Sequence, residues 1–162
     1  MSIVDMFNKV RDIPYRIPLT STEEDHCCSG KMKLLKQMLE QAGYQARYRI
    51  CEFRWSDIPL PNEVSEVPHK DLVTHVYLEV EINGNWIIVD PTWDSGVKSV
   101  LPVNEWDGKS DTQVAVPVLK TYDLEKSLKI IESENKEVIE NDLVKKREFY
   151  KAFNSWLEKV RS

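Results

Sequence analysis

The chain has 162 residues, of which 41% are hydrophobic and 30% charged, and its formal net charge is -5. A chain of this length buries a core without disulfides or a metal, so we expect a single domain over residues 1–162. It contains no apolar run long enough to span a bilayer, and its acidic balance disfavours binding to nucleic acid.

Cysteine usage and the first residues indicate the compartment. Three cysteines, two of them adjacent, do not form a disulfide framework. The start of the chain lacks the basic stretch and the continuous apolar stretch of a secretory signal. We therefore expect a protein of the reducing cytoplasm that does not act at a membrane.

Two helices are predicted in the first third of the chain. Apolar residues recur at helical spacing over residues 3–10, and prolines then favour an extended segment. Residues 20–25 are rich in the residue types that cap helices. The second helix is predicted over residues 28–42, and its apolar stripe predicts a buried helix that holds its first turn rigidly.

Cys28 stands at the start of this second helix. Helix starts expose unpaired backbone N–H groups and the positive end of the helix dipole, and both favour a thiolate over a thiol. Cys28 is therefore a candidate nucleophile. The alternative is that it is a small buried hydrophobic residue, which is the commoner role of a free cysteine.

A strand and an irregular segment follow. Residues 44–53 alternate in polarity as a strand does, and Cys51 is predicted to be a packing residue on it. Residues 54–73 contain three prolines and several acidic residues and show no regular period. A loop of this length within one domain is usually functional or mobile.

The clearest structural signal is a β-hairpin over residues 74–90, with Asn83-Gly84 as a two-residue turn. Counting back from this turn places His75 diagonally next to Asp90 on one face of the hairpin. The other face is uniformly apolar and is predicted to be core. A slip of one residue would bury His75 and Asp90 in that core, so the alternation of side chains along the strands disfavours any other register.

The rest of the chain is predicted to be a loop to residue 110, a possible strand over 112–119, and two helices or one bent helix from residue 123. This order of elements indicates the α+β class, with helices packed on an antiparallel sheet. The core is expected at about 13–119, with a C-terminal helical extension at about 123–161.

Cys28, His75 and Asp90 supply a nucleophile, a general base and acid, and a carboxylate that orients the histidine, which together suit acyl transfer. A zinc site was the competing interpretation of the cysteines and histidines, with His26 and His69 as further candidates. Adjacent cysteines lack the spacing of zinc knuckles and no second paired motif follows, so we predict neither a metal nor a cofactor.

Three linked motifs carry a family resemblance: CSGKMKLL from Cys28, HVYLEV from His75, and GNWIIVDPT, which contains Asp90. Together they resemble the core of the transglutaminase-like superfamily, in the form of a small prokaryotic-type single-domain member. The resemblance covers about residues 13–94. It implies a papain-like α+β fold, a triad at these three positions, and Cys28 rather than Cys27 as the nucleophile.

The resemblance leaves the oxyanion hole incomplete. The backbone N–H of Cys28 is one expected donor, and family members often add an upstream Trp or Gln, which residues 1–27 lack. Tyr15 or a hydroxyl such as Thr20 is the candidate second donor. Three tryptophans are candidates for the wall of a substrate cleft or, alternatively, for core packing, namely Trp55, Trp93 and Trp106.

These features predict a thiol-dependent amide hydrolase of the peptidase or deamidase type, acting through an acyl-enzyme on Cys28. The expected substrate is a protein or peptide with a reactive amide, such as a glutamine side chain. Hydrolysis is favoured because water is the only acceptor it needs. Two alternatives stay open: transglutaminase-type transfer to an amine, and a catalytically idle module that binds partners through its acidic loop and last helix.

Overall fold

The computed structural model describes all residues, 1–162. None of its helices combines the length and the apolarity that crossing a membrane requires. The helices are α1 (Ile3–Arg11), α2 (Cys28–Gln41), α3 (Asn62–Ser65), α4 (Leu124–Ser133) and α5 (Lys136–Arg161). The strands are β1 (Ala46–Arg54), β2 (Leu72–Ile82), β3 (Asn85–Val89) and β4 (Lys120–Thr121).

The four strands form one antiparallel sheet in the order β3-β2-β1-β4. β1 pairs with β2 along its whole length, whereas β4 adds only two residues to the outer edge of β1. The predicted α+β class with helices around an antiparallel sheet is confirmed.

The predicted hairpin register is also confirmed. Asn83 and Gly84 have φ values of 51° and 83°, and both being positive is what a type I′ turn requires. Ile82 pairs with Asn85, and the ladder ends where Leu78 faces Val89. Beyond this last pair β2 extends to Leu72, and β3 ends at Val89, so that Asp90 follows directly after it.

Side chains pack on both faces of the sheet. On the face toward α1 and α2 lies a cluster that we call the aliphatic core: Phe7, Val10, Met32, Leu35, Leu39, Ile50, Val76, Leu78, Val80, Ile82, Val89 and Trp106. On the other face lies a cluster that we call the aromatic core, which includes Tyr15, Cys51, Phe53, Trp55, Tyr77, Trp93, Phe149, Phe153, Trp156 and Leu157. Because α5 supplies the last four of these, the C-terminal helix is part of the main packing unit.

Residues 54–73, expected to be an irregular loop that is functional or mobile, contain short helical turns and pack into the aromatic core. Trp55 begins a short 3-10 turn, α3 contacts α5, and Trp55, Ile58 and Val64 are buried in the aromatic core. The backbone N–H of Trp55 and that of Ser56 both bond to Asp71, which closes the segment. Buried apolar residues spaced irregularly hold this loop without any periodic signal.

The possible strand over residues 112–119 does not form. Thr112 N–H donates to Ile88 O on β3, whereas Leu119 N–H donates to Glu52 O on β1. Since β2 lies between those two strands, the segment crosses the end of the sheet and cannot pair along either strand. The C-terminal region forms two helices, with Asn135 capping the second through a bond from Val138 N–H.

Candidate active site

Cys28 occupies the first position of α2, as predicted, and a glycine makes this placement possible. A Cβ atom on Gly30 would lie 1.7 Å from the carbonyl oxygen of Asp25, so the preceding turn presses directly against the first turn of the helix. The carboxylate of Asp25 accepts a hydrogen bond from Cys27 N–H at 2.9 Å and fixes that turn. The N–H of Cys28 has no acceptor within the helix and is free to bind an oxyanion.

His75 and Asp90 are brought together as the hairpin register predicts. His75 Nε2 lies 2.8 Å from Asp90 Oδ2, and the two residues are 3% and 0% exposed. This contact leaves Nδ1 of His75 for the interaction with the Cys28 thiol, which lines the same cavities.

The Asp90 carboxylate accepts three further hydrogen bonds. They come from two residues, Thr92 and Ala115, that the sequence did not indicate as part of the site. Its Oδ1 accepts bonds from the N–H and the hydroxyl of Thr92, and its Oδ2 accepts one from Ala115 N–H at 2.8 Å. The Asp-Pro-Thr order was a usable signal, because an Asp side chain commonly caps the N–H two residues on. Ala115 gave no signal because only the crossing segment brings it near.

The charges at the site favour a thiolate–imidazolium pair. Hydrogen bonding to the adjacent Cys27 thiol lowers the pKa of Cys28 well below its usual value; burial opposes this shift and His75 adds to it. Burial acts to lower the pKa of His75, but the charge and hydrogen bond of Asp90, with Cys28, raise it to about 10. The pKa of Cys27 is raised by its bond to Cys28 and by burial, so Cys27 stays a thiol.

A cleft of about 510 Å³ opens beside Cys28 and His75 on the aromatic face. Tyr15, Trp55 and Trp93 line it, together with residues from the first half of α5. Trp106 does not line the cleft, contrary to the prediction. It packs 5.8 Å from Phe7 in the aliphatic core, because the loop after β3 carries it to the other face of the sheet.

A second, smaller cavity of about 280 Å³ also borders Cys28 and His75. It lies toward α4, with Ile130 and Ile131 in its wall, and it shares the carboxylates of Asp25 and Glu134 with the larger cleft. The thiol and the imidazole are therefore accessible from two cavities with different linings.

Tyr15, the candidate second oxyanion donor, lines the same cleft as Cys28. The hydrogen bonds of Tyr15 are made by its backbone. The N–H donates to Asp94 Oδ1 at 2.9 Å, and the carbonyl accepts a bond from Arg161 at 3.0 Å. Its hydroxyl is unpaired and borders the cleft that Cys28 also lines. Burial and the nearby thiols raise the pKa of Tyr15 well above its usual value, so it remains a donor. Thr20 bonds instead to Thr22 and does not line the cleft.

Lys31 is a site-supporting residue that the sequence interpretation missed. It is 1% exposed, and its Nζ donates to the carbonyls of Arg11, Ile13 and Thr92 at 2.8–2.9 Å. Burial lowers the pKa of Lys31 to about 7. Its position three residues after Cys28 and four before Leu35 was the available signal, since that spacing places it on the buried face of α2.

The last turn of α5 is tied to the same region. Arg161 donates two bonds to the buried carboxylate of Asp94, at 2.8 and 2.9 Å, four residues after Asp90. Together with the bond from Arg161 to the Tyr15 carbonyl, this pair fixes the segment that carries Tyr15 against the segment that carries Asp90.

Comparisons of the chain with protein-family models, with curated proteins and with solved structures found no match. The site also contains no group of three His, Cys, Asp or Glu side chains arranged to hold a metal ion. His26 contacts Glu24 and His69 stacks on Phe149, so both lie apart from the pair at the cleft. Functional inference therefore depends on the geometry around Cys28.

Proposed function

We propose that this protein is a thiol-dependent amide hydrolase that acts through an acyl-enzyme on Cys28. The observation that carries the proposal is the juxtaposition of a helix-start thiol of lowered pKa with a buried His75–Asp90 pair at the wall of a cleft. We further propose that the fold is the papain-like one of the transglutaminase-like superfamily. A reducing compartment such as the cytoplasm suits a nucleophile that must stay a thiolate.

Each member of the triad has a separate task in this reaction. The Cys28 thiolate attacks the amide carbon, and the developing oxyanion is bound by Cys28 N–H and the Tyr15 hydroxyl. The His75 imidazolium gives its proton to the leaving nitrogen, which departs as an amine or ammonia. Neutral His75 then takes a proton from water as the water attacks the thioester, and Asp90 holds the imidazole in place throughout.

The proposed substrate is a protein or peptide that presents an amide at the cleft. The cleft is large enough to admit a side chain of ordinary size, and 15 of its 26 lining residues are hydrophobic. Trp55 and Trp93 offer flat apolar surfaces for the aliphatic part of such a side chain, for instance that of glutamine.

The second cavity supports a second candidate function, acyl transfer to an amine. A peptide that fills the larger cleft leaves the smaller cavity open, so the thioester remains accessible from the side of α4. The carboxylates of Asp25 and Glu134 there attract a protonated amine, which gives one proton to neutral His75 before its nitrogen attacks the thioester. Hydrolysis and transfer share every step until the acceptor attacks.

Thiol labelling tests the shared chemistry. We expect iodoacetamide to label Cys28 rapidly at pH 6, where ordinary thiols are protonated, and to leave Cys51 unlabelled, since burial raises the pKa of Cys51 to about 12. Peptide mass spectrometry across pH reads out both sites. Labelling of Cys28 that rises only near pH 8.5, at the rate of a free thiol, would refute the ion pair.

Product analysis then separates the two reactions. Glutamine-containing peptides are incubated with wild type and Cys28→Ala, with and without a primary amine, and released ammonia, cleaved peptide and incorporated amine are measured. Water-derived products alone indicate a hydrolase, and amine incorporation indicates a transferase. Products that persist in Cys28→Ala would contradict both.

A further inference from the structure

Cys27 and Cys28 place two thiols side by side at the cleft. Both are partly exposed and both line the same cavity, while the third cysteine is fully buried. We propose that Cys27 and Cys28 form a vicinal dithiol that a hydroperoxide converts reversibly into a disulfide, which switches the nucleophile off and protects it from irreversible oxidation. The inference rests on the proposed function in one respect, namely that loss of the Cys28 thiolate stops the reaction.

The backbone around Cys27 and Cys28 holds these two residues in a defined conformation. Cys27 is the extended residue that precedes α2, with φ -88° and ψ -168°, and Cys28 is the first helical residue. The bond from Cys27 N–H to Asp25 fixes the turn before them, and Gly30 lets that turn lie close to the helix. The shared cavity of about 510 Å³ admits a small hydroperoxide to both sulfurs.

The two thiols differ in the way that the chemistry requires. Cys28 carries the thiolate, which is the form that attacks peroxide, and Cys27 stays protonated beside it. The bond to Cys28 is the largest cause of the raised pKa of Cys27, and the negative charge of Cys28 adds to it. Oxidation of Cys28 removes that charge, so Cys27 becomes easier to ionise at the moment when its thiolate is needed.

The reaction balances in two steps. The Cys28 thiolate attacks one oxygen of the hydroperoxide; an S–O bond forms, the O–O bond breaks, and the sulfur is oxidised by two electrons to a sulfenic acid. The second oxygen takes a proton from the His75 imidazolium and leaves as water or an alcohol. Cys27 then attacks that sulfur; an S–S bond forms, the S–O bond breaks, and the oxygen leaves as water with the thiol proton. Two thiols are oxidised and one peroxide is reduced.

Cys27 is favoured over Cys51 as the resolving thiol. Cys51 pairs directly with His75 across β1 and β2, but it is 0% exposed and belongs to the aromatic core. Adjacent residues across a trans peptide have Cα atoms only about 3.8 Å apart, below the usual disulfide range, so their bond is strained and easily reduced. Easy reduction is the property that a reversible switch needs.

Trypsin digestion offers a direct test, because Cys27 and Cys28 fall together in residues 17–31 and Cys51 falls in residues 50–54. Reduced full-length protein is treated with equimolar hydrogen peroxide, denatured, alkylated and analysed by mass spectrometry. We expect peptide 17–31 to lose the mass of two hydrogen atoms and to take up no alkyl group. Peptide 50–54 should be alkylated, and dithiothreitol should restore alkylation of both thiols in peptide 17–31.

Two variants complete the test. Cys27→Ser should accumulate sulfinic or sulfonic acid on Cys28 that dithiothreitol does not remove, whereas Cys51→Ala should behave as wild type. Three results in the wild type would overturn the inference: a bond between peptides 17–31 and 50–54, a bond between two copies of peptide 17–31, or a persistent sulfenic acid on Cys28. Because the readout is mass, a disulfide that forms in a protein without amide activity would refute only the proposed function.

Discussion

The two faces of the sheet are built from different side chains. All members of the aliphatic core except Phe7 and Trp106 have aliphatic side chains. Of the site residues, only the partly buried Cys28 packs against this core. The aromatic core contains eight aromatic rings, with centroids of neighbouring pairs such as Tyr15 and Trp93 as close as 4.7 Å, and the cleft opens on this face.

This difference separates stability from chemistry. Aliphatic side chains interdigitate over most of their face and leave room only at its edge, where Ile50 and Val76 border the smaller cavity. On the aromatic face, large rings meet at steep angles. His75, Asp90 and Asp94 are buried on this side, and their polar groups are satisfied by hydrogen bonds. Changes in the aliphatic core away from the smaller cavity should therefore alter the free energy of unfolding alone, whereas changes on the aromatic face should alter reactivity as well.

The largest effect is expected for His75→Ala. Loss of the imidazolium removes the general acid and the partner of the thiolate, so we expect activity to fall by about 10²–10⁴-fold and iodoacetamide labelling of Cys28 at pH 6 to slow sharply. His26→Ala is the matched control, because its contact with Glu24 lies apart from the pair. Equal labelling rates in the two variants would mean that His75 does not set the state of the thiol.

Lys31→Met tests the buried lysine that links α2 to three backbone carbonyls. Three buried carbonyls lose their donor, although methionine also removes the cost of burying an ammonium, so we expect a loss of about 2–4 kcal/mol in the free energy of unfolding. Lys33→Met, on the exposed side of the same helix, should change it by less than about 0.5 kcal/mol. Urea denaturation of both variants measures the difference, and equal stabilities would show that the three bonds contribute nothing net.

The pH dependence of stability reports the one proton that Cys28 and His75 share in the folded state. Between the ordinary pKa values of imidazole and thiol, 6.5 and 9.0, the folded and unfolded states bind the same number of protons at this pair, so its contribution is flat. Below pH 6.5 the unfolded state binds one proton more at this pair than the folded state does. Above pH 9.0 the folded state binds one proton more, up to the His75 pKa of about 10. The contribution should therefore decline on both sides by about 1.4 kcal/mol per pH unit at most.

Urea titrations of wild type and of the double variant Cys28→Ala with His75→Gln at pH 5, 7.5 and 9.5 isolate this contribution as a difference. The expected difference is largest at pH 7.5. A difference that rises steadily from pH 5 to pH 9.5 would mean that the folded pair has already lost its proton at pH 9.5, which would contradict the raised pKa of His75.

The smallest effects are expected from a matched pair of tryptophans. Trp93→Phe should raise KM several-fold, because Trp93 lines the cleft and its Nε1 donates to Ala115 O beside Asp90. Trp106→Phe should leave kinetics unchanged and lower stability by about 1 kcal/mol through loss of its bond to Ser110 O. A kinetic effect of Trp106→Phe would mean that the two faces are coupled.

Much of the fold and the centre of the candidate site could be predicted from local signals. Asn83-Gly84 fixes the hairpin turn, and the period-two alternation of the strands then determines that His75 and Asp90 share a face. The apolar stripe of α2 predicts a helix that starts at Cys28, although the N-cap residue, Cys27, makes no side-chain capping bond. Signals of this kind act over a few residues, so the sequence alone determines them.

The surroundings of the site were decided only by tertiary packing. The placement of α5 over the second face, the crossing of residues 112–119 at the end of the sheet, and the separation of Trp93 from Trp106 all depend on contacts between distant segments. The sequence determined which groups lie at the centre of the candidate site, because hydrogen-bonded turns and strand alternation are local. The tertiary structure decided which groups hold them, because burial and long-range hydrogen bonds exist only once both faces of the sheet are covered.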